Sequence, residues 1–198
     1  MRILAGLLVL LAACEGGAPS AEAAPPPGKA VATFAGGCFW CTEADFEKVP
    51  GVLSAVSGYT GGRTNNPDYK RVSAGGTGHY EAVRIVYDPR RVSYETLVRH
   101  YFRTVDPLDA GGQFCDRGES YRTAVFVHDA GQKAAAEAEK ARAAKQVGKV
   151  VTPVLAAARF WPAEDYHQDY YKKNPVRYKY YRYRCGRDAR LKEVWGGK

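Results

Sequence analysis

The stretch GGCFWCTE, residues 36–43, places Cys38 and Cys41 three positions apart with Phe39 and Trp40 between them. Four chemistries use such a pair: a zinc knuckle, a thioredoxin-like dithiol, an inert packed pair, and a nucleophile with its own aromatic pocket. A zinc site needs four ligands, usually as two close pairs. This chain offers one CxxC, isolated Cys115 and Cys185, and four scattered histidines, which disfavours a metal. Position argues against an inert pair, because Cys38 follows two glycines where a strand passes into a helix. Unpaired backbone N–H groups and the helix dipole stabilise a thiolate at such a place, and can bring a cysteine pKa to between about 3.5 and 7.5. Residues three apart on a helix have β-carbons about 5 to 6 Å apart, so a small backbone adjustment would allow a Cys38–Cys41 disulfide. A dithiol and a nucleophile with a neighbouring resolving thiol both stay open.

The elements that must position these residues follow from periodicity. KAVATFA alternates as a strand and ends at Gly36-Gly37, and CTEADFEKV then has helical apolar spacing. VLSAVSGY and HYEAVRIVY are further strands, with a loop of Gly, Asn and Pro between them. Alternation in HYEAVRIVY puts Glu81 on the same face as His79 and Val83. A helix opens at Ser93-Tyr94-Glu95, YRTAVFVH is a strand, Asp129 caps an alanine-rich helix, and KVVTPVLAAARF is a last strand. Strand and helix alternate, which predicts an α/β (α+β) domain: a two-layer sandwich of βαβ units, ferredoxin-like. AEDYHQDYYKK has the makings of a short helix. Residues 174–198 show no clear periodicity and are expected to form a long irregular, basic, tyrosine-rich C-terminal tail.

With 198 residues, 45% hydrophobic and 25% charged, the chain suits one well-buried globular domain. Its first residues, MRILAGLLVLLAAC, have the layout of a secretory signal, with Arg2, an apolar run to Ala13 and then Cys14. The run is shorter than the roughly 20 residues that span a bilayer. Leu11-Ala12-Ala13-Cys14 resembles a bacterial lipoprotein box, so residues 1–14 are expected to be a signal that leaves a lipidated Cys14. Residues 15–29, rich in Ala, Pro and Gly, are expected to be a flexible tether, and residues 30–198 the single folded domain. Export would place the cysteines where disulfides are permitted. The formal charge of +8 allows attraction to anionic surfaces without requiring it. The Arg- and Tyr-rich C-terminus has the composition of a nucleic-acid binder, but export directs the chain away from nucleic acid, and none is expected as a partner.

Beyond the dithiol, GGCFWCTEADFEKVPGV, SGYTGG, GGTGHYEAVRIVYDP, DPLDAGGQFCDRGESYRTAVF and PAEDYHQDYYKKNP together resemble the successive motifs of the type A peptide methionine sulfoxide reductases. The resemblance runs in the family's order from about Val31 to Trp195. It implies that Cys38 attacks the sulfoxide sulfur and that Glu81, with a pKa raised by burial, protonates the departing oxygen. It further implies that Tyr59 and Tyr121 bind that oxygen, that Asp116 is a second site carboxylate, and that Phe39 and Trp40 wall a pocket for the terminal methyl group. The family acts on the S epimer. A sulfenic acid left on Cys38 must condense with a second thiol, and the candidates are Cys41, then Cys185, then Cys115. No role is assigned to His167, for which burial and hydrogen bonding are sufficient explanation. The resemblance implies an enzyme without cofactor or metal, acting as a monomer on oxidised proteins or peptides. Its electrons would come from a thioredoxin-like reductant, and its lipid anchor would hold it at a membrane, facing the periplasm or cell exterior. Two other classes fit parts of the sequence. A thiol–disulfide oxidoreductase would not need Glu81 or the tyrosines, and a non-catalytic module would bind the sulfoxide without turnover.

Overall fold

The computed structural model describes residues 24–196. The expected signal, the lipidation site Cys14 and most of the tether lie outside the described residues. No helix among the described residues is long and apolar enough to cross a membrane.

Strand β1 (Ala30–Gly36) leads through a tight turn into helix α1 (Phe39–Phe46), followed by β2 (Val52–Thr60), a short α2 (Tyr69–Ser73), β3 (Tyr80–Tyr87) and α3 (Tyr94–Arg103). A two-residue hairpin, β4 (Gly112–Gln113) and β5 (Asp116–Arg117), precedes β6 (Thr123–Val127), α4 (Ala130–Val147), β7 (Val154–Ala156) and β8 (Trp161–Pro162). The main sheet has the order β7-β6-β1-β3-β2-β8. β3 runs antiparallel between β1 and β2, and β1 antiparallel between β3 and β6. The α1 and α3 crossovers therefore each join parallel strands separated by one antiparallel neighbour, the split βαβ arrangement of a ferredoxin-like fold. Only β6 and β7, joined through α4, pair directly in parallel.

Strand alternation divides the core. Ala32 and Phe34 of β1, Val83 and Ile85 of β3 and Val125 of β6 face the helices, where they meet Phe46, Leu97, Tyr101 and Ala136. Ala35, Ala82 and Phe126 face the other way, onto Phe160. Phe34 centres the larger cluster, its ring stacked 4.9 Å from Phe46 and 5.0 Å from Tyr101. Truncating such a side chain to alanine costs about 3 to 5 kcal/mol.

The C-terminal region departs from expectation. In place of an irregular tail it forms α5 (Tyr170–Lys173), α6 (Pro175–Arg184) and α7 (Arg187–Trp195), packed on the domain. Tyr178, Arg187 and Trp195 are buried. The Arg187 guanidinium donates to the carbonyls of Gly36 and Thr104, and the Trp195 indole N–H donates to Val105 O at 3.1 Å. Tyrosines and one arginine do here what leucines do elsewhere, so an apolar-periodicity reading finds no stripe. The last expected strand is also shorter than KVVTPVLAAARF, its ladder being limited to Val154–Ala156.

Candidate active site

The turn between β1 and α1 sets the site. Gly37 has φ +79°, and a β-carbon there would lie 2.5 Å from Gln113 Cβ, so the turn requires glycine. Gln113 is fully buried and pinned to the backbone of Asp106, accepting from its N–H and donating to its carbonyl at 2.8 Å each. Arg187 holds the carbonyl of Gly36 from the opposite side. The loop therefore delivers Cys38 to the helix start at a fixed place, as the cap of α1.

Glu81 lies on the helix-facing side of β3, beneath that start, and its Oε2 accepts the Phe39 N–H at 3.0 Å. Burial outweighs this bond and pushes its carboxyl up to about 8, so the group is protonated at neutral pH. Cys38, Phe39, Trp40 and Glu81 line a cavity of about 60 Å³ together with Tyr69, Tyr121, Asp116 and Tyr181. That volume exceeds the one-water minimum of roughly 10 to 15 Å³ several times over, and suits a small group such as methylsulfinyl.

The thiols behave differently from the expectation of a resting Cys38 thiolate. Burial, the contact with Cys41, and the neighbouring Glu81 and Asp116 carboxyls all push the Cys38 thiol well up. Desolvation beside two acids defeats the helix-dipole effect. Cys41 moves the other way, down to about 7, because the Cys38 thiol bonds to it and the Arg187 and Arg182 guanidiniums lie near. Both cysteines are free and buried.

Trp40 is held from several sides. Its ring stacks on Tyr170 with centroids 3.7 Å apart, Tyr181 meets it edge-on, and its indole N–H donates to His167 Nδ1 at 3.0 Å. His167 is buried, and desolvation lowers its pKa, which keeps the ring neutral and able to accept. The side chain without an assigned role is thus what orients the indole.

Of the expected site residues, Cys38, Phe39, Trp40, Glu81, Asp116 and Tyr121 meet at the cavity; Tyr59 does not. It is fully buried under Phe39, and its hydroxyl donates to Glu164 Oε2 at 2.8 Å. Tyr69 takes the expected place, its hydroxyl hydrogen-bonded with that of Tyr121. A sequence signal for Tyr69 existed: Asp68 in NNPDY caps α2 by accepting the Arg71 N–H, which puts Tyr69 at a helix start. Burial raises both pocket tyrosines, so both remain hydroxyl donors.

Cys185 lies between α6 and α7 in a disulfide with Cys115, not in a loose tail. Each of the two sulfurs lies 3.8 Å from an oxygen of Asp116, which also accepts the Tyr181 hydroxyl. Among the described residues, Cys115, Asp116 and Cys185 form the one cluster with metal-capable atoms close together, but its sulfurs are already bonded to each other.

A buried thiol sharing a small aromatic-walled cavity with a protonated carboxylic acid, on a ferredoxin-like sheet, is the site of a cysteine-nucleophile enzyme able to donate a proton as sulfur attacks. The family model for peptide methionine sulfoxide reductase matches residues 30–198. The chain is 53% identical over 199 residues to peptide methionine sulfoxide reductase MsrA 2 of Caulobacter vibrioides, covering 100% of both chains. It is 50% identical to the protein of the same name from Rhizobium meliloti, covering 100% of this chain and 96% of the relative. The reduced form of Mxr1 from Saccharomyces cerevisiae superimposes with a TM-score of 0.72 at 31% identity, over 76% of this chain and 88% of that one. The chain belongs to the type A peptide methionine sulfoxide reductases.

Proposed function

We propose that this protein reduces peptidyl and free methionine S-sulfoxide, with Cys38 as nucleophile and Glu81 as proton donor. The observation that carries the reading is the pairing of Cys38 with a carboxyl held up at about 8 in one cavity. Sulfoxide oxygen is a poor leaving group until protonated, and a neutral Glu81 supplies a proton where a solvated glutamate could not. The hydroxyls of Tyr69 and Tyr121 bind the oxygen, while Phe39 and Trp40 receive the methyl group. As the sulfur of Cys38 bonds to the sulfoxide sulfur, the S–O bond breaks and the oxygen leaves as water, taking one proton from the thiol and one from Glu81. Water then attacks the Cys38 sulfur and returns a proton to Glu81; the S–S bond breaks with its electron pair on the substrate, giving a thioether and Cys38 sulfenic acid.

Cys41, against Cys38 and pulled down to about 7, is the first resolving thiol. Its condensation with the sulfenic acid releases water and forms a Cys38–Cys41 disulfide. Cys185 and Cys115 stand as a second pair, and a thioredoxin-like dithiol returns the enzyme to its reduced state. The yeast relative Mxr1 has been crystallised in complex with Trx2, which supports a donor of that class. The layout of residues 1–14 supports export, lipidation of Cys14 and repair of oxidised proteins outside the cytoplasm.

The test supplies residues 30–198 with dithiothreitol and separate S and R epimers of a blocked methionine sulfoxide. Turnover confined to the S epimer and abolished by Cys38→Ser is the expected result; equal turnover of both epimers, or none by folded protein, overturns the reading. Labelling with radioactive palmitate, lost in Cys14→Ser, tests the anchor.

A further inference from the structure

Tyr69 faces the cavity from a weakly anchored element. Helix α2 has five residues, of which only Val72 is buried, and sits in the loop joining β2 to β3. Its first backbone N–H, that of Tyr69, has no acceptor within the helix. Glu164 supplies one: its Oε1 accepts that N–H at 2.8 Å, and its Oε2 accepts the Tyr59 hydroxyl at 2.8 Å. Tyr59 is rooted in β2, paired in register with Glu81 of β3, so it is fixed to the strand that carries the acid.

The segment carrying Glu164 is equally fixed. β8 pairs with the edge of β2, and the Ala163 N–H donates to Ser57 O at 2.9 Å. The Gln168 side chain closes a second link, accepting the Ser57 N–H at 2.9 Å and donating to Ser57 O at 2.8 Å. His167 touches the same assembly, with its ring 4.6 Å from that of Tyr69 and its Nε2 3.9 Å from Glu164 Oε2. Glu164 is partly exposed, with a side-chain accessibility of 34%, and it lies outside the residues lining the cavity. Its one direct bond to a cavity residue is to the Tyr69 N–H; Tyr59 and His167, its other partners, stand behind Phe39 and Trp40.

We propose that Glu164 is a positioning residue for sulfoxide reduction, one that transmits the location of the sheet, through Tyr59, to the start of α2 and so fixes Tyr69 against the substrate oxygen. The inference rests on the proposed role of Tyr69 in binding that oxygen. A carboxylate suits the task because its two oxygens accept from two donors at once. Glutamine keeps the shape and one acceptor; alanine keeps neither.

The experiment is a double-mutant cycle on sulfoxide turnover, with Glu164→Ala, Tyr69→Phe and the double variant, beside Glu164→Gln as the shape-preserving control. Displacing a substrate-positioning group by about 1 Å costs on the order of 100-fold in rate. Glu164→Ala is expected to lower kcat by about 10- to 100-fold, Glu164→Gln by less, and the double variant no more than about threefold beyond Tyr69→Phe alone. A purely structural glutamate would lower Tm and cost as much in the Tyr69→Phe background as in wild type, which overturns the proposal, as does unchanged kcat in Glu164→Ala. If Tyr69→Phe turns over like wild type, the role of Tyr69 fails and the proposal with it. Absence of turnover in the wild type would instead sink the reductase reading, so the failures are separable.

Discussion

The backbone N–H of Phe39 donates to Oε2 of Glu81 across 3.0 Å, although the two residues stand 42 positions apart. The helix that presents the nucleophile is thereby bonded at its first amide to the acid. Because the bond favours the charged form while burial opposes it more strongly, the carboxyl stays neutral up to about pH 8. Activity that depends on this proton should fall as pH rises through about 8. Glu81→Gln, which keeps an acceptor for Phe39 but donates no proton, is expected to lose about 100- to 10,000-fold in turnover and to lose that alkaline limb. A pH–rate profile of the two proteins checks both; an unchanged limb in the variant assigns it to another group.

The same shift has a stability consequence of known sign. A carboxyl raised from 4.5 to about 8 on folding stabilises the fold only at low pH, and this contribution is lost as pH rises through about 8. Glu81→Gln should therefore be more stable than wild type at pH 9, by at least about 1 kcal/mol, while being nearly inactive. Urea unfolding at pH 5 and pH 9 tests it, and a gain equal at both pH values would count against a buried charge as the cause.

Much of this was legible in the sequence, and the misses share a cause. Alternation in HYEAVRIVY placed Glu81 on one face with Val83, the face that meets the helices, and the two glycines placed Cys38 at the helix start, because both depend on local backbone geometry. Tyr59 was misplaced because its role was carried over from the resemblance by motif, which does not show where a side chain ends; its hydroxyl finds Glu164, 105 positions away. The C-terminal helices were missed because their buried contacts come from Tyr178, Arg187 and Trp195 rather than from an aliphatic stripe. The protonation of Cys38 follows first from its burial, then from Cys41 and the nearby carboxyls, and burial of this depth is a tertiary property that no local pattern reveals.

The Trp40–His167 bond predicts a split between binding and chemistry. Loss of one such hydrogen bond costs about 0.5 to 1.5 kcal/mol, so His167→Ala should raise KM for the sulfoxide about 3- to 10-fold by freeing the indole, with kcat less affected. Tyr170, stacked on the other face of the indole, should behave alike on truncation to alanine. Steady-state kinetics on a blocked methionine sulfoxide would show it; a pure kcat effect would instead place His167 in the chemistry.

Thiol bookkeeping separates the two cysteine pairs. With Cys41 as first resolver, fully reduced Cys115→Ser/Cys185→Ser protein should release about one methionine per chain without added reductant, ending as a Cys38–Cys41 disulfide. Cys41→Ser should leave a sulfenic acid on Cys38 that dimedone traps. Peptide mapping of wild-type protein, fully reduced and then given one equivalent of sulfoxide, is decisive, since a Cys38–Cys185 bond in place of Cys38–Cys41 would transfer the resolving role.

Arg187 joins fold and thiol chemistry in one side chain. Its guanidinium is buried, bonded to the carbonyls of Gly36 and Thr104 and placed over the Phe114 ring, and its charge helps draw Cys41 down to about 7. Arg187→Met leaves two buried carbonyls without their donor, a loss of about 2 to 4 kcal/mol in stability. It also removes a positive charge beside Cys41, whose pKa should rise. Alkylation of Cys41 at pH 7 should then slow, as should closure of the disulfide after sulfoxide reduction, while Arg187→Lys keeps a positive charge but not the paired bonds. Iodoacetamide kinetics with peptide mapping, on variants compared at equal fractions folded, separates the two effects. A Cys41 alkylation rate unchanged in Arg187→Met would confine the arginine to holding the turn at Gly36.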